Sequence, residues 1–157
     1  MTQTPPPTSG LAITQLLVLS QVPKSTTFQL LWTLARFAVG ALMIHNGFNK
    51  LDDVQGFADN VVAFMGLPYP VFLTYCAAYV EIISSVGIIL GLQIRANAIA
   101  LLGTMAVAIF FHLKADGLAV APLETAALYA TFYLCFLIGG SGKFALDAIV
   151  AERLGLE

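Results

Sequence analysis

Four long apolar segments constrain this chain more than any other feature of its sequence. They cover residues 28–46, 71–92, 94–113 and 122–138. Each is close to the roughly 20 residues with which a helix crosses the hydrocarbon core of a bilayer. Inside lipid only helices and closed barrels satisfy their backbone hydrogen bonds, and these segments lack the two-residue alternation of barrel strands. The pattern therefore predicts an all-α integral membrane protein, a bundle of four membrane-spanning helices.

The charge content also points to lipid. Charged residues make up 10% of the 157 residues and apolar residues 59%, whereas a soluble domain carries about 25% charged residues. The net charge of −2 comes without a basic stripe, which argues against nucleic acid as a partner. Cys76 and Cys135 lie far apart in apolar segments and form no CxxC motif. We interpret them as buried membrane cysteines and predict no metal site.

The flanks of the four segments differ from them in composition. Residues 1–10, MTQTPPPTSG, are predicted to be disordered, and residues 11–22 fit a short interfacial or partner-bound helix. We therefore divide the chain into a flexible tail with this short apolar segment over 1–27, a membrane domain over 28–140 and a short amphipathic helix over 141–157. In the first loop, the apolar residues of 54–65 fall along one side of a helix, which predicts an amphipathic helix at the membrane interface.

The basic residues near the ends of the four segments predict the orientation. One side of the membrane would collect Lys24, Arg95, Lys143 and Arg153, and the other side Lys50 and Lys114. Both termini are therefore predicted to be cytoplasmic, in a bacterial-type inner or energy-transducing membrane. The long first loop would then face the periplasm or an equivalent lumen.

Two charged residues fall well inside the predicted spans. Arg36 would lie roughly 12 Å from the cytoplasmic end of the first helix, and Glu81 roughly 16 Å from the same side in the second. An isolated charge at such a depth costs about 2.5–3.5 kcal/mol on insertion scales. We therefore predict that Arg36 and Glu81 pair inside the bundle. The pair would either fix how the two helices dock or tune a polar cavity for a head group or a proton.

A second polar set lies at the lumenal ends of the spans. It contains His45, Asn46, Lys50, His112 and Glu124, with Tyr75 and Tyr79 on the same side. Because these residues come from different helices, they could converge into one pocket roofed by the interfacial helix, where a histidine would bond a quinone carbonyl. Two alternatives stay open: the groups sit among hydrated lipid head groups, or the two histidines ligate a haem.

The order of several motifs resembles the DoxX family of small four-helix membrane proteins. The matching residues are Arg36, Gly40, Gly47, Lys50, Leu51, Glu81, Gly87, Leu90, Gly91, Arg95, Gly140, Gly142, Leu146 and Asp147. The resemblance covers roughly residues 30–150. It implies an association with quinones and membrane redox enzymes without establishing a reaction. The sequence carries no flavin, nicotinamide or iron–sulfur motif, so electron transfer would require a bound quinone, a haem or a partner protein.

Three functions stay open from the sequence. The first is a quinone-associated or redox-complex membrane subunit that binds a quinone head group near Arg36, Glu81 and the lumenal histidines. The second is a non-catalytic accessory subunit or assembly factor that docks onto a larger membrane complex through its N-terminal segment or cytoplasmic tail. The third is a small-molecule transporter, which would need a homodimer because four helices rarely enclose a pathway.

Overall fold

The computed structural model describes residues 20–153 and residue 155, and all regular structure in that part of the chain is helical. The helices are α1 (Thr26–Asp52), α2 (Val54–Phe57), a π-helical segment (Ala58–Ala63), α3 (Pro70–Leu90), α4 (Ile94–Asp116), α5 (Val120–Gly139) and α6 (Leu146–Arg153). The predicted disordered residues and most of the short apolar segment, 11–19, lie outside the described residues.

Helices α1, α3 and α4 are each long and apolar enough to cross a membrane. The fourth long helix, α5, has 20 residues and is apolar over Leu123–Gly139. The predicted all-α membrane bundle is therefore confirmed, and the chain is an integral membrane protein.

The surface and the interior of the bundle have the polarity expected of a protein in lipid. Large apolar side chains such as Leu34, Phe37, Ile83 and Ile138 are exposed, because lipid covers this surface without a hydrophobic penalty. The polar side chains buried inside are Gln29, Arg36, Thr74, Glu81, Ser84, Ser85, Arg95, Ser141 and Asp147. Cys135 corrects one prediction, because it is exposed on the outer surface while Cys76 is half-buried.

The four long helices alternate in direction, and α1 packs along α3 while α5 packs along α4. Small residues allow the first of these pairs to approach closely. A Cβ atom on Gly47 would lie 3.0 Å from the carbonyl oxygen of Ala78, and one on Gly40 would lie 3.1 Å from that of Ser85. Without a hydrophobic driving force in lipid, such close backbone packing is a main source of helix association. The two contacts also fix the register of α1 against α3.

A tight turn joins α3 to α4. Gly91 ends α3 with a φ of 66° and Gln93 precedes α4 with a φ of 44°. Both values lie in the left-handed region, which Gly91 adopts at little cost because glycine has no Cβ atom. This turn lies beside Arg36 of α1 and the end of α5. We call this end of the bundle, which also holds α6, the terminal end, and the opposite end the loop end.

The first loop forms the predicted helix over residues 54–65, which we call the loop helix. Asp53 caps its start, because its carboxylate accepts a hydrogen bond from the Gly56 amide at 2.9 Å. Lys114 of α4 holds its end through the carbonyl oxygens of Phe64 and Met65, at 3.0 and 3.3 Å. A cation at the last carbonyls of a helix also interacts favourably with the helix dipole. The loop helix therefore lies fixed across the loop end of the bundle.

The residues just before α1 are attached to the folded bundle. Helix α1 begins at Thr26, and the residues just before it are bonded to the end of α5. The Gln21 amide donates to the Gly139 carbonyl at 2.8 Å, and the Ser20 hydroxyl accepts from the Gly142 amide at 3.1 Å. The segment from residue 20 onward therefore belongs to the folded domain, although its composition suggested a flexible tail.

The close packing of α1 on α3 can be tested with two glycine substitutions. Gly47→Ala should lower the free energy of unfolding by about 1–3 kcal/mol, because the new methyl group overpacks the seam. Gly103 is the matched control, since a Cβ atom there meets nothing within 4 Å and alanine is the better helix former. The measurement is the unfolding free energy of both variants in detergent micelles, and equal losses in the two would contradict this packing.

Candidate functional site

A cavity of about 590 Å³ lies at the loop end, between α3 and α4 and beneath the loop helix. Its walls are mostly apolar: Leu73, Ala77 and Val80 line it from α3, and Ala100 and Val107 from α4. The loop helix adds the apolar residues Phe57, Val61, Val62 and Met65. A concave, largely apolar space of this size with few polar groups is typical of small-molecule sites.

An ion pair forms the main polar feature of the cavity wall. The Lys50 ammonium lies 2.6 Å from Glu81 Oε2, and the exposed side-chain fractions are 16% and 2%. Lys50 is in the last turn of α1, and its long side chain reaches back along the helix to Glu81 on α3. The pairing offsets much of the cost of placing either charge in the bundle.

Lys50 has two further neighbours. Its ammonium lies 3.5 Å from the carbonyl oxygen of Asn46 and 5.2 Å from the ring centre of Phe57. The second contact is in the range of a cation–π interaction. Lys50 therefore joins α1, α3 and the loop helix at one point of the cavity wall.

The predicted pairing of Arg36 with Glu81 is wrong. Arg36 is fully buried at the terminal end, where its Nη2 donates to the Phe144 carbonyl at 2.6 Å. The prediction measured depth from the ends of the two helices and assumed that these ends lie level. In the structure Gly40 lies against Ser85 and Ile89, so residues 26–35 of α1 extend beyond the end of α3.

Arg36 belongs instead to a polar cluster that closes the terminal end. Arg95 donates to the carbonyls of Leu137 and Ile138 at 3.0 and 3.3 Å. The Asp147 carboxylate accepts from the amides of Gln93 and Ile94 at 2.8 and 3.3 Å. These bonds satisfy backbone groups left free where α4 begins and α5 ends. The cluster therefore holds these helix ends together.

The glycines of the terminal end make room for this cluster. A Cβ atom on Gly91 would collide with the Arg36 guanidinium and lie 2.9 Å from the Cα of Ala145. The Trp32 indole donates to the Gly140 carbonyl at 3.1 Å, and a Cβ atom on Gly142 would lie 3.0 Å from Trp32. Several residues that carry the family resemblance thus meet here, far from the cavity.

Burial raises the pKa of Asp147 above its usual value of 3.8. Its two backbone donors and the nearby charges of Arg36 and Arg95 act in the opposite direction but are outweighed by the desolvation of the carboxyl group. Arg36 Nε and Nη1 make no hydrogen bond within the described part of the chain. The attraction between Arg36 and Asp147 is therefore electrostatic rather than a direct bond.

The predicted lumenal polar set is only partly brought together. Asn46, Lys50 and His112 line the cavity together with Glu81, and the His112 Nδ1 lies 3.3 Å from Asp116 Oδ2. His45 and Glu124 are exposed and lie outside the lining, as do Tyr75 and Tyr79, which stack on each other.

Helical phase explains why His45 points elsewhere. Asn46 and Lys50 are four residues apart and share one face of α1, whereas His45 is rotated about 100° from Asn46. The two histidines therefore do not face one another across the cavity, and the structure does not support the predicted haem alternative. The candidate site is formed by Asn46, Lys50, Glu81 and His112, without Arg36, His45 and Glu124.

Sequence reasoning missed Tyr129 of α5, which also lines the cavity. Its signal was the spacing of Thr125, Ala126 and Tyr129, since residues three and four apart share one face of a helix. All three line the cavity. The composition of α5 did not predict which face lines the cavity, because apolar residues occur on every side of the helix.

The chain is similar in sequence to known proteins. The DoxX family model matches residues 31–113, from α1 through the loop helix and α3 into α4. An uncharacterized protein from Haemophilus influenzae is 40% identical over 76 residues, which are 45% of this chain. The match covers 57% of that relative, so the chain spans just over half of its length. No solved structure matches the chain.

The ion pair of the cavity can be tested by a double-mutant cycle. Lys50→Met and Glu81→Met should each destabilise the protein by leaving one charge without its partner, and the double variant should recover part of the loss. We expect a coupling energy of about 1–3 kcal/mol from unfolding in detergent micelles. The control cycle uses Arg36→Met with Glu81→Met, for which the two effects should add. Strong coupling in the control cycle would show that Arg36 interacts with Glu81, which would contradict the pairing of Lys50 with Glu81.

The role of Asp147 can be tested by its pH dependence. Because its pKa is higher in the folded than in the unfolded state, protonation favours the folded state, and the wild type should lose stability as the pH rises from 3.8 through the folded pKa. Asp147→Asn should remove this loss, whereas Asp147→Ala should cost about 1–3 kcal/mol at every pH by leaving buried amides unpaired. Melting temperatures of the three proteins across acidic pH check both expectations; identical pH profiles for wild type and Asp147→Asn would refute them.

Proposed function

We propose that this chain, which belongs to the DoxX family, is a quinone-associated membrane subunit that binds the quinone head group in the cavity beside Lys50 and Glu81. One observation carries the proposal: a buried ion pair lies on the wall of a largely apolar cavity inside a membrane bundle. The resemblance to a family with redox relatives supports the same ligand class.

The shape and chemistry of the cavity support a lipophilic ligand with a polar ring. A volume of about 590 Å³ falls within the 300–1,000 Å³ that is usual for small-molecule sites. The apolar walls from α3 and α4 would contact a tail, and the polar groups at the α1 side would orient a head group. Such a ligand would enter from lipid, where it is concentrated.

The polar groups of the wall come from all four long helices. Asn46 and Lys50 belong to α1, Glu81 to α3 and Tyr129 to α5, and His112 of α4 lies 3.3 Å from Asp116. In this proposal the head-group end is the side of the cavity beside Lys50 and Glu81, where α1 and α3 hold the ring.

The accessory-subunit alternative has its own observation. Residues 20 and 21 are bonded to Gly139 and to the turn after α5, so this part of the chain lies at the terminal end of the bundle. A larger complex that docks there would contact the surface of the terminal end rather than the cavity. In that case the buried charges serve packing, and the cavity holds lipid.

The two cysteines provide a direct test of quinone binding. Cys76 lines the cavity, whereas Cys135 is exposed on the outer surface. A fully ring-substituted decyl benzoquinone, which has no free position for thiol addition, should protect Cys76 from N-ethylmaleimide. At a quinone concentration about ten times Kd, alkylation of Cys76 should slow about tenfold, and Cys135 should be unaffected. Mass spectrometry of the two peptides gives both rates in one sample.

Decylbenzene is the matched control for this test, because it has the same tail and no carbonyl groups. Equal protection by both compounds would mean that the cavity accepts any tail and does not recognise the head group. The proposal fails if the quinone protects neither cysteine or slows both alike. A stoichiometric partner complex without quinone on mild-detergent purification would then favour the accessory-subunit alternative.

A further inference from the structure

The hydrogen-bonding position left free at the head-group end of the cavity is a carboxylate oxygen. Glu81 Oε2 accepts the bond from Lys50 at 2.6 Å. Within the described part of the chain, no hydrogen bond uses Glu81 Oε1. An ionised carboxylate accepts hydrogen bonds and donates none. A molecule that reaches Oε1 must therefore supply a donor.

Lys50 does not offset this shortage of donors. An ammonium group has three N–H bonds, and three groups surround that of Lys50. These are Glu81 Oε2 at 2.6 Å, the Asn46 carbonyl at 3.5 Å and the Phe57 ring at 5.2 Å. The cation is thus directed at the protein, and a ligand carbonyl would have to displace one of these contacts.

The other hydroxyl groups of the wall do not change the balance. Thr104 donates to the Leu101 carbonyl of its own helix at 2.9 Å, which is the usual bond of a threonine inside a helix. The hydroxyls of Thr125 and Tyr129 and the amide of Asn46 also line the cavity. Each of these groups can both donate and accept, so they serve either kind of ligand. The acceptor that distinguishes between ligands is therefore Glu81 Oε1.

Quinones and hydroquinones differ in this one property. A quinone presents two carbonyl oxygens, which only accept, and its oxygen would face the carboxylate with like partial charge. A hydroquinone presents two hydroxyl groups, and an O–H directed at a carboxylate makes a short, charge-assisted hydrogen bond. Resting on the proposed function, we propose that the cavity binds the hydroquinone form in preference to the quinone, through a hydroxyl group that donates to Glu81 Oε1.

The preference has an expected size. A hydrogen bond to a charged group is strong enough for about a tenfold or larger difference in Kd between the two forms. For a two-electron couple, tenfold tighter binding of the reduced form raises the midpoint potential of the bound couple by about 30 mV. The protein would then hold the reduced carrier and release the oxidised one more readily.

The experiment compares the two oxidation states of one ligand. The decyl benzoquinone and its hydroquinone, kept reduced under anaerobic conditions, are titrated separately against the full chain in detergent micelles. Protection of Cys76 from alkylation reports the Kd of each form, with Cys135 as the internal reference. We expect the hydroquinone Kd to be about tenfold lower than that of the quinone.

Three outcomes separate this inference from the proposed function. If neither form protects Cys76, the proposed quinone site itself is wrong. If both bind with equal Kd, or the quinone binds more tightly, the site stands and the inference is overturned. If the hydroquinone binds more tightly, Glu81 variants decide whether the carboxylate is the cause.

Glu81→Gln is the first variant, because its amide can donate as well as accept and should reduce the preference to less than about threefold. Since it leaves the Lys50 charge unpaired, Lys50→Met combined with Glu81→Gln is the second variant and keeps the site neutral. Glu124→Gln is the matched control, since Glu124 is exposed and lies outside the cavity lining. A preference that survives in both Glu81 variants would overturn the assignment to Oε1.

Discussion

The absence of hydrogen-bonding partners in lipid is the constraint on which this structure depends. A charged group that enters the bundle is stabilised when it finds a partner inside the protein. Glu81 finds Lys50 at the loop end, and Arg36 finds the Phe144 carbonyl at the terminal end. The buried charges therefore determine where the bundle is locked, while the exposed apolar side chains leave its outer surface free to contact lipid.

The two polar regions differ in what surrounds their charged groups. This difference indicates a structural role for the terminal end and a functional role for the loop end. At the terminal end, Arg95 and Asp147 are bonded to backbone groups of neighbouring helix ends, and glycines bring the chain close around them. At the loop end, Lys50 and Glu81 border a cavity of about 590 Å³. Within the described part of the chain, this end combines charge with space for a ligand, so the function is proposed there.

The mistaken pairing of Arg36 with Glu81 shows that the depth of a residue in its own helix does not determine which residue of a neighbouring helix lies opposite it. Both residues lie well inside their spans, as the sequence indicates. Their relative height, however, depends on how far one helix slides along the other. Gly40 and Gly47 set that register by close backbone contact, and the resulting offset puts Lys50, rather than Arg36, opposite Glu81.

The sequence by itself determined the four apolar helices, the helical first loop, the burial of Arg36 and Glu81, and several polar residues of the cavity. Apolar length and local periodicity suffice for these features, because they depend on one helix at a time. Only the tertiary structure decided the partner of Glu81, the exclusion of His45 and Glu124, the inclusion of Tyr129 and the existence of the cavity. These depend on the register and rotation of helices against each other, which are set by side-chain packing between segments distant in the chain.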